Sequence, residues 1–324
     1  METKLNYKRT FLIALAFLSI CSFWQMYDNI IPLILQNTYH LGETMTGAVM
    51  ALDNVLAIFL LPVCGMLSDK VHTKLGRRMP FIVVGTILAV IFMMMLPMID
   101  NAEKARWATG GSFSNQVFFL GVLFLTLVSM GLYRSPAVAL MPDVTPNHLR
   151  SRANAVINLM GAVGGVYALI MIKVLVGKGE TPDYLPLFAS IAAVMAIAVG
   201  ILVITIRENK LREEVEKAEA ANADTIEEKA MAEGVEAAGE IEAVGDTGEA
   251  KAFEEKQQTA KTESTKDMPK DVKRSMYFML ASIFLWFTAY NAVTTAFSRY
   301  TKVVWKMEGG SFANCLMVAT VAAI

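Results

Sequence analysis

The sequence predicts an all-α membrane protein, and three observations carry that prediction. The 324 residues are 55% hydrophobic, with a mean hydropathy of +0.45, which is too apolar for an ordinary soluble chain. Seven apolar runs each reach the ~20 helical residues needed to cross a hydrocarbon core of about 30 Å. The charges are segregated, because residues 207–275 hold 19 acidic and 12 basic side chains while the rest of the chain holds 11 and 17. These features indicate a polytopic bundle interrupted by one acidic insert.

We expect the helices to follow one another along the chain with short loops between them. The predicted membrane spans are Phe11–Leu35, Thr44–Ser68, Phe81–Ile99, Val117–Met141, Asn154–Val176, Leu185–Ile206 and Met276–Ser298. An eighth span begins near Ser311 and contributes about 14 residues, too few to cross a bilayer.

The spans predict three regions. Residues 1–206 form an N-terminal six-helix half, and residues 276–324 form the truncated start of a second half. Residues 207–275 are rich in Ala, Glu and Lys with almost no aromatic side chains. Such a segment cannot bury enough apolar surface to offset its ordering entropy, so it is predicted to be a disordered cytoplasmic linker.

Basic residues predict a cytoplasmic N-terminus in a multi-pass protein of the cell membrane. Nine of them lie on the predicted inner side: Lys4, Lys8, Arg9, Lys70, Lys74, Arg77, Arg78, Arg150 and Arg152. Three lie in the outer loops: Lys104, Arg106 and Lys178. Arg299, Lys302 and Lys306 follow the seventh span and weaken this asymmetry.

Several function classes have no residues to support them. The three histidines fall in predicted loops, the three cysteines lie far apart in apolar runs, and neither set has metal-ligand spacing. There is no glycine-rich phosphate loop and no nucleophile–base pair. We therefore expect no enzyme activity, no metal or other cofactor, and no nucleic-acid partner.

The most specific pattern joins the second and third spans. Pro62–Phe81 reads P-V-C-G-M-L-S-D-K-V-H-T-K-L-G-R-R-M-P-F, and Ser135–Gly165 contains S-P-A-V-A-L-M-P-D-V-T-P followed by R-S-R-A-N-A. The first string resembles the loop signature of the major facilitator superfamily. Its full spacing is similar to that of sucrose–proton symporters and related glycoside–cation symporters, and the second string resembles their fourth-to-fifth helix connection.

This resemblance implies a transporter of two six-helix halves that rock around a site near the midplane, with the first half complete here and the second truncated. It also implies a charged latch on the cytoplasmic face. The latch residues are Gly65, Asp69, Gly76, Arg77, Arg78, Asp143, Arg150 and Arg152. The alternative is that these cations only set the topology of the chain.

Two departures from the resemblance narrow the expected chemistry. The sodium-coupled melibiose branch has two carboxylates on its second helix, where this chain has Ala57 and Leu61. The plant sucrose branch has an arginine where this chain has Val138, although Arg134 lies one turn earlier. We therefore expect the coupling ion to be a proton rather than sodium, and the identity of the sugar stays open.

Three charges stand out inside predicted membrane helices: Asp28, Asp53 and Arg134. Each costs roughly 2.5–3.5 kcal/mol on insertion scales, so each is a candidate functional residue. A buried carboxylate tends to hold its proton, and a nearby arginine promotes its release, which is the chemistry of proton coupling. The alternative is a static structural ion pair.

A sugar site needs aromatic rings and amide or hydroxyl groups, and several spans offer them. The candidate substrate-binding residues are Trp24, Gln25, Asn29, Asn54, Tyr133, Asn158, Tyr290, Asn291 and Thr294. The alternative for each polar side chain is a hydrogen bond to a neighbouring helix.

The sequence thus favours a secondary active transporter that couples a proton to the symport of a sugar or glycoside. Two alternatives remain open. In the first alternative, the chain is a proton-coupled exporter of amphipathic compounds, because the loop signature alone is shared with drug exporters. In the second alternative, the chain is a non-transporting sensor or scaffold that signals through residues 207–275.

Overall fold

The structure, a computed structural model, describes residues 5–71, 73–109, 115–177, 179, 182–217 and 270–322. These residues form helices and loops with no β-strand, so the predicted all-α fold class is confirmed. In chain order the helices are α1 (Tyr7–Asn37), α2 (Glu43–Lys70), α3 (Met79–Ala108), α4 (Gln116–Asp143), α5 (Arg150–Leu175), α6 (Leu185–Thr205), α7 (Lys270–Val303) and α8 (Ala313–Ala322). The first seven are long and apolar enough to cross a membrane.

Most helices extend beyond their predicted apolar spans, and α3 shows why. Its predicted end was Ile99, but the helix continues to Ala108 through a polar segment. Lys104 Nζ lies 2.5 Å from Asp100 Oδ2, one turn away on the same helix face. Because residues four apart on a helix are neighbours, such a pair stabilises helical residues that hydropathy alone assigns to a loop.

The chain divides into two compact units. The first comprises residues 1–217 and 294–324. Its largest apolar cluster has contributions from α1, α3, α4, α5 and α6, and two smaller apolar clusters are also buried in this unit. The second unit comprises residues 218–293, of which the structure describes 270–293, the first part of α7.

Close helix pairs organise the first unit, with α1 against α5 and α3 against α4. At Gly164 of α5, a Cβ atom would lie 2.2 Å from the carbonyl oxygen of Leu18 on α1. At Gly85 of α3, a Cβ atom would lie 2.7 Å from the backbone nitrogen of Tyr133 on α4. Small residues at these positions let the two backbones approach closely, as in membrane helix pairs generally.

Most of the predicted linker, residues 218–269, lies outside the described residues. Residues 208–217 are helical, and Glu208, Leu211 and Val215 are buried. An ion pair of 2.7 Å joins Glu214 in this segment to Arg9 on α1. This segment therefore belongs to the packed first unit, and the predicted boundary at residue 206 stays a prediction.

Candidate functional site

The three charges predicted inside the membrane helices lie in one region, which we call the central charge group (Asp28, Asp53 and Arg134). The Arg134 guanidinium lies 5.5 Å from the centre of the Trp24 ring, a cation–π contact between α4 and α1. A small cavity of about 20 Å³ is lined by Trp24, Asp53, Gly131 and Arg134, among others. That volume holds about one water molecule.

Asp53 and Arg134 are close enough to attract one another. They form no direct ion pair in the part of the chain that the structure describes, because all its ion pairs lie elsewhere. Asp53 Oδ1 instead accepts a hydrogen bond of 3.0 Å from Asn54 Nδ2. Asp28 is close enough to Asp53 for their negative charges to repel. Asp53 thus interacts with one cation and with one further carboxylate, and a group of two carboxylates and one arginine favours the binding of one further positive charge.

Unpartnered polar atoms on α1 lie next to this group. Within the described residues, Trp24 Nε1, the Tyr27 hydroxyl and Asn29 Oδ1 are buried without a hydrogen-bond partner. The Asn29 amide nitrogen donates to the Gln25 carbonyl oxygen at 2.8 Å. A buried polar atom without a partner costs about 1–3 kcal/mol. These atoms are therefore candidates to bind a ligand, and Tyr27 is one that the sequence analysis missed although it directly precedes Asp28.

Tyr133, a candidate substrate-binding residue, is buried between helices. Its side chain is 0% exposed, and its hydroxyl donates to the Ala16 carbonyl oxygen at 3.0 Å. The same hydroxyl shares a hydrogen bond of 2.5 Å with Ser19 Oγ. These contacts join α4 to α1, so the alternative of an interhelical hydrogen bond describes Tyr133 better than substrate contact does.

The remaining substrate candidates are dispersed. Asn158 is exposed on α5. In the second unit, the Trp286 and Tyr290 rings stack at 5.7 Å between centres. The side chain of Asn291 lies outside the described residues, and Thr294 is the first residue of α7 that belongs to the first unit. The expectation that α7 contributes to the site therefore stays a prediction.

A second cluster lies where α2 ends and α3 begins. Arg78 lies 2.6 Å from Asp69 Oδ1 through Nη2 and 3.0 Å from Asp143 Oδ2 through Nε. Arg77 lies 2.8 Å from Asp143 and 3.6 Å from Asp69. Arg78 also donates to the Ser68 hydroxyl and to the Gly65 carbonyl oxygen. Four predicted latch residues thus form one network that joins α2, α3 and α4.

Glu208 completes this network and was missed by the sequence analysis. Its carboxylate is 1% exposed and accepts hydrogen bonds of 3.0–3.1 Å from the backbone N–H groups of Arg77, Arg78 and Met79. These N–H groups lie at the N-terminus of α3 and have no acceptor within the helix, and a negative charge at this end of a helix is stabilised. We call Asp69, Arg77, Arg78, Asp143 and Glu208 the α2–α3 charge cluster.

Gly76 makes room for that carboxylate. Its φ angle is +124°, and a Cβ atom there would lie 2.1 Å from Glu208 Oε2. A side chain at this position would therefore meet both backbone strain and a clash. The presence of glycine at this position of the loop signature is thus explained by its contact with a residue 132 positions later in the chain.

The same anions alter the titration of Arg77. Burial alone would lower its pKa, but the hydrogen bond and charge of Asp143, and then the charges of Asp69 and Glu208, raise it. The guanidinium is therefore charged at every physiological pH, and the network is not a pH switch through this group.

Two predicted latch residues lie outside this network. Arg150 donates to the backbone carbonyl oxygens of Pro142 at 2.8 Å and Thr145 at 3.2 Å rather than to the Asp143 carboxylate. Arg152 is exposed. The sequence placed both near Asp143 because they follow it closely, but Asp143 pairs with arginines from the α2–α3 loop instead.

Comparison with known proteins identifies the family. A family model of the Major Facilitator Superfamily matches residues 6–324. The chain belongs to this superfamily. The predicted superfamily resemblance is thereby confirmed, as is the prediction that the chain is a carrier protein and not an enzyme. Membership of this superfamily, together with the long apolar helices, indicates a multi-pass membrane protein.

The chain is also similar to curated sucrose transport proteins. It is 26% identical over 137 residues to sucrose transport protein SUT3 of Oryza sativa subsp. japonica, an alignment that covers 40% of this chain and 27% of that relative. It is 36% identical over 117 residues to sucrose transport protein SUC4 of Arabidopsis thaliana, which covers 34% of this chain and 22% of the relative. The chain thus spans about a quarter of the length of the curated relatives it matches.

Proposed function

We propose that this major facilitator chain couples the movement of a proton to the symport of a sugar or glycoside. The observation that carries the proposal is the central charge group, where Asp53 and Arg134 line a water-sized cavity and Asp28 is close enough to Asp53 to repel it. The similarity to sucrose transport proteins supports a sugar as cargo. Ala57 and Leu61 also line this cavity, so two apolar side chains stand where a sodium site would need oxygen ligands.

In the proposed mechanism, Asp53 takes the proton and Arg134 controls its release. When Asp53 is ionised, its attraction to Arg134 holds α2 and α4 together. Protonation removes that attraction, leaves Arg134 on the Trp24 ring and weakens the hydrogen bond from Asn54 to Asp53. Asn54 can then bind the hydroxyl groups of a sugar together with the unpartnered α1 atoms. Asp28 raises the local negative charge and so favours proton uptake.

The proposal assigns the remaining residues to binding and gating. Trp24, Gln25, Asn29 and Asn54 contact the cargo from one half, with Asn158 and the α7 residues Tyr290, Asn291 and Thr294 as further candidates. The α2–α3 charge cluster closes the cytoplasmic face in one state and opens in the other. The proposal includes a cytoplasmic N-terminus and a location in the cell membrane, as the distribution of basic residues predicts.

The test is uptake of labelled sucrose into right-side-out vesicles that contain the complete gene product, with and without an imposed proton gradient. We expect accumulation only with the gradient. Asp53→Asn should abolish accumulation but retain exchange of labelled for unlabelled sugar, because a neutral side chain mimics the protonated state. Glu213→Gln, at an exposed position, is the matched control.

Two results would contradict the proposal. Uptake that ignores the gradient would exclude coupling to protons. Full concentrative uptake in Asp53→Asn would exclude Asp53 as the proton site, and full uptake in Asp28→Asn as well would exclude the central charge group. Resistance to amphipathic compounds without sugar uptake would instead favour the exporter alternative.

A further inference from the structure

A large cavity lies at the opposite end of the first unit from the α2–α3 charge cluster. Its volume is about 1110 Å³, and it opens between the C-terminal ends of α1 and α3 and the segment that follows α7. This volume lies near the upper end of the range of ligand pockets. The Arg299 guanidinium anchors the α7 side, lying 3.3 Å from Glu43 and donating to Gln36.

Three lysines from two segments line this cavity: Lys104 from α3, and Lys302 and Lys306 from the end of α7 and the residues just after it. Lys104 is partly neutralised, because Nζ lies 2.5 Å from Asp100 and donates to the Pro182 carbonyl oxygen at 2.6 Å. Lys302 and Lys306 have no ion pair or hydrogen bond from their side chains within the described residues. Lys302 is also close enough to Lys104 for the two ammonium groups to repel.

The side chains that line the cavity thus carry more positive than negative charge. Glu308 is the lining carboxylate among the described residues, and it offsets one ammonium group. Like charges held together in a partly enclosed space are costly unless an anion joins them. The lining therefore suits an oxyanion that can bridge more than one ammonium group.

Backbone strain is concentrated in the same lining. Of the five residues with left-handed φ angles in the described part of the chain, four line this cavity: His40 (51°), Gly179 (123°), Lys306 (53°) and Gly309 (58°). Such a conformation is unfavourable for His40 and Lys306, which have side chains. Strained positions of this kind tend to occur at ligand sites, where they orient a side chain.

An aromatic surface adjoins the lysines. The His40 and Trp107 rings pack edge to face, with centres 4.6 Å apart, and both line the cavity. An aromatic ring beside clustered cations suits a ligand with a flat apolar face and a charged end.

We propose that this cavity binds the phosphate group of a small solute, either a phosphate monoester such as a sugar phosphate or inorganic phosphate itself. A phosphate dianion can accept hydrogen bonds from Lys302 and Lys306 at once, with Lys104 as the third cation. In a sugar phosphate, the sugar ring would rest on Trp107. This site is separate from the central charge group and does not depend on the proposed transport function.

The test is isothermal titration of the purified complete gene product with glucose 6-phosphate, inorganic phosphate and glucose. We expect the two phosphates to bind and glucose not to bind at the same concentration. Lys302→Gln and Lys306→Gln should each weaken phosphate binding by about tenfold, the loss expected for one charge-assisted hydrogen bond. Binding should also weaken as ionic strength rises.

Two further variants sharpen the test. Glu308→Gln should strengthen binding severalfold, because it removes the opposing carboxylate. Lys210→Gln makes the same charge change at an exposed position outside the cavity and should leave affinity unchanged. Opposite effects at positions 306 and 308 would exclude general destabilisation as the cause.

The outcomes are distinct. Glucose 6-phosphate that binds more tightly than inorganic phosphate identifies the monoester as ligand, and equal affinities identify phosphate alone. No binding of either phosphate, or binding that the lysine and Glu308 substitutions do not alter, would overturn the proposal. Loss of sucrose uptake in Asp53→Asn leaves this titration unaffected, so the two proposals fail independently.

Discussion

Replacing Glu208 with alanine should destabilise the first unit more than any other single substitution in the α2–α3 charge cluster. The carboxylate is 1% exposed and accepts hydrogen bonds from three consecutive backbone N–H groups at the start of α3. Each buried donor left unpaired costs about 1–3 kcal/mol. Water can reach part of the space that alanine leaves, so we expect a net loss of about 3–4 kcal/mol rather than the full sum.

Glutamine at the same position separates charge from hydrogen bonding. It keeps one acceptor oxygen but loses the negative charge at the helix N-terminus, an interaction that contributes up to about 2 kcal/mol when partly buried. We therefore expect Glu208→Gln to fall between alanine and the wild type. At roughly 2–4 °C per kcal/mol, the alanine variant should melt about 6–16 °C lower.

The assay is thermal unfolding of the purified protein in detergent, followed by the fraction that stays monodisperse. Glu213→Ala is the matched control, since Glu213 lies in the same helical segment but is exposed. If Glu208→Ala has the same melting temperature as this control, the reasoning is refuted. A glutamine variant less stable than the alanine variant would also contradict it.

Three further predictions concern packing and pH. Gly76→Ala should lower the melting temperature by several degrees, because its Cβ would clash with the carboxylate that caps α3 and the φ angle is left-handed. Gly164→Ala should also lower the melting temperature, because its Cβ would lie 2.2 Å from the Leu18 carbonyl oxygen. Gly47→Ala is the control for both variants, and it should be neutral or stabilising because nothing lies within 4 Å of its Cβ. Burial raises the pKa of Tyr184, so the unfolded chain loses this proton first and stability should fall as pH rises above about 10. Tyr184→Phe should flatten that decline in melts between neutral and alkaline pH, and an unchanged slope would contradict the assignment.

The helices were predictable because hydropathy and length report transfer into a bilayer directly. The predicted end of α3 was too early, because its last turns are stabilised by a local ion pair that averaged hydropathy does not detect. The central charge group was predictable for the same reason, since a charge inside an apolar run is conspicuous.

The partners of each charge were not predictable. Asp143 seemed by sequence spacing to belong with Arg150, yet it pairs with Arg77 and Arg78. Tyr133 had the chemistry of a sugar ligand, yet its hydroxyl is used between α1 and α4. In each case the decisive contact joins helices far apart in the chain, and no local pattern records it.

The sequence by itself determined the membrane class, the helix order, the superfamily and which charges stand out inside apolar helices, because each depends on composition and spacing within one segment. Only the tertiary structure decided that Glu208 caps α3, that Gly76 leaves room for it, and that Lys104 lines one cavity with the distant Lys302 and Lys306. The physical reason is that hydrogen bonds and ion pairs act over a few ångströms. Which groups come within that range depends on how whole helices pack.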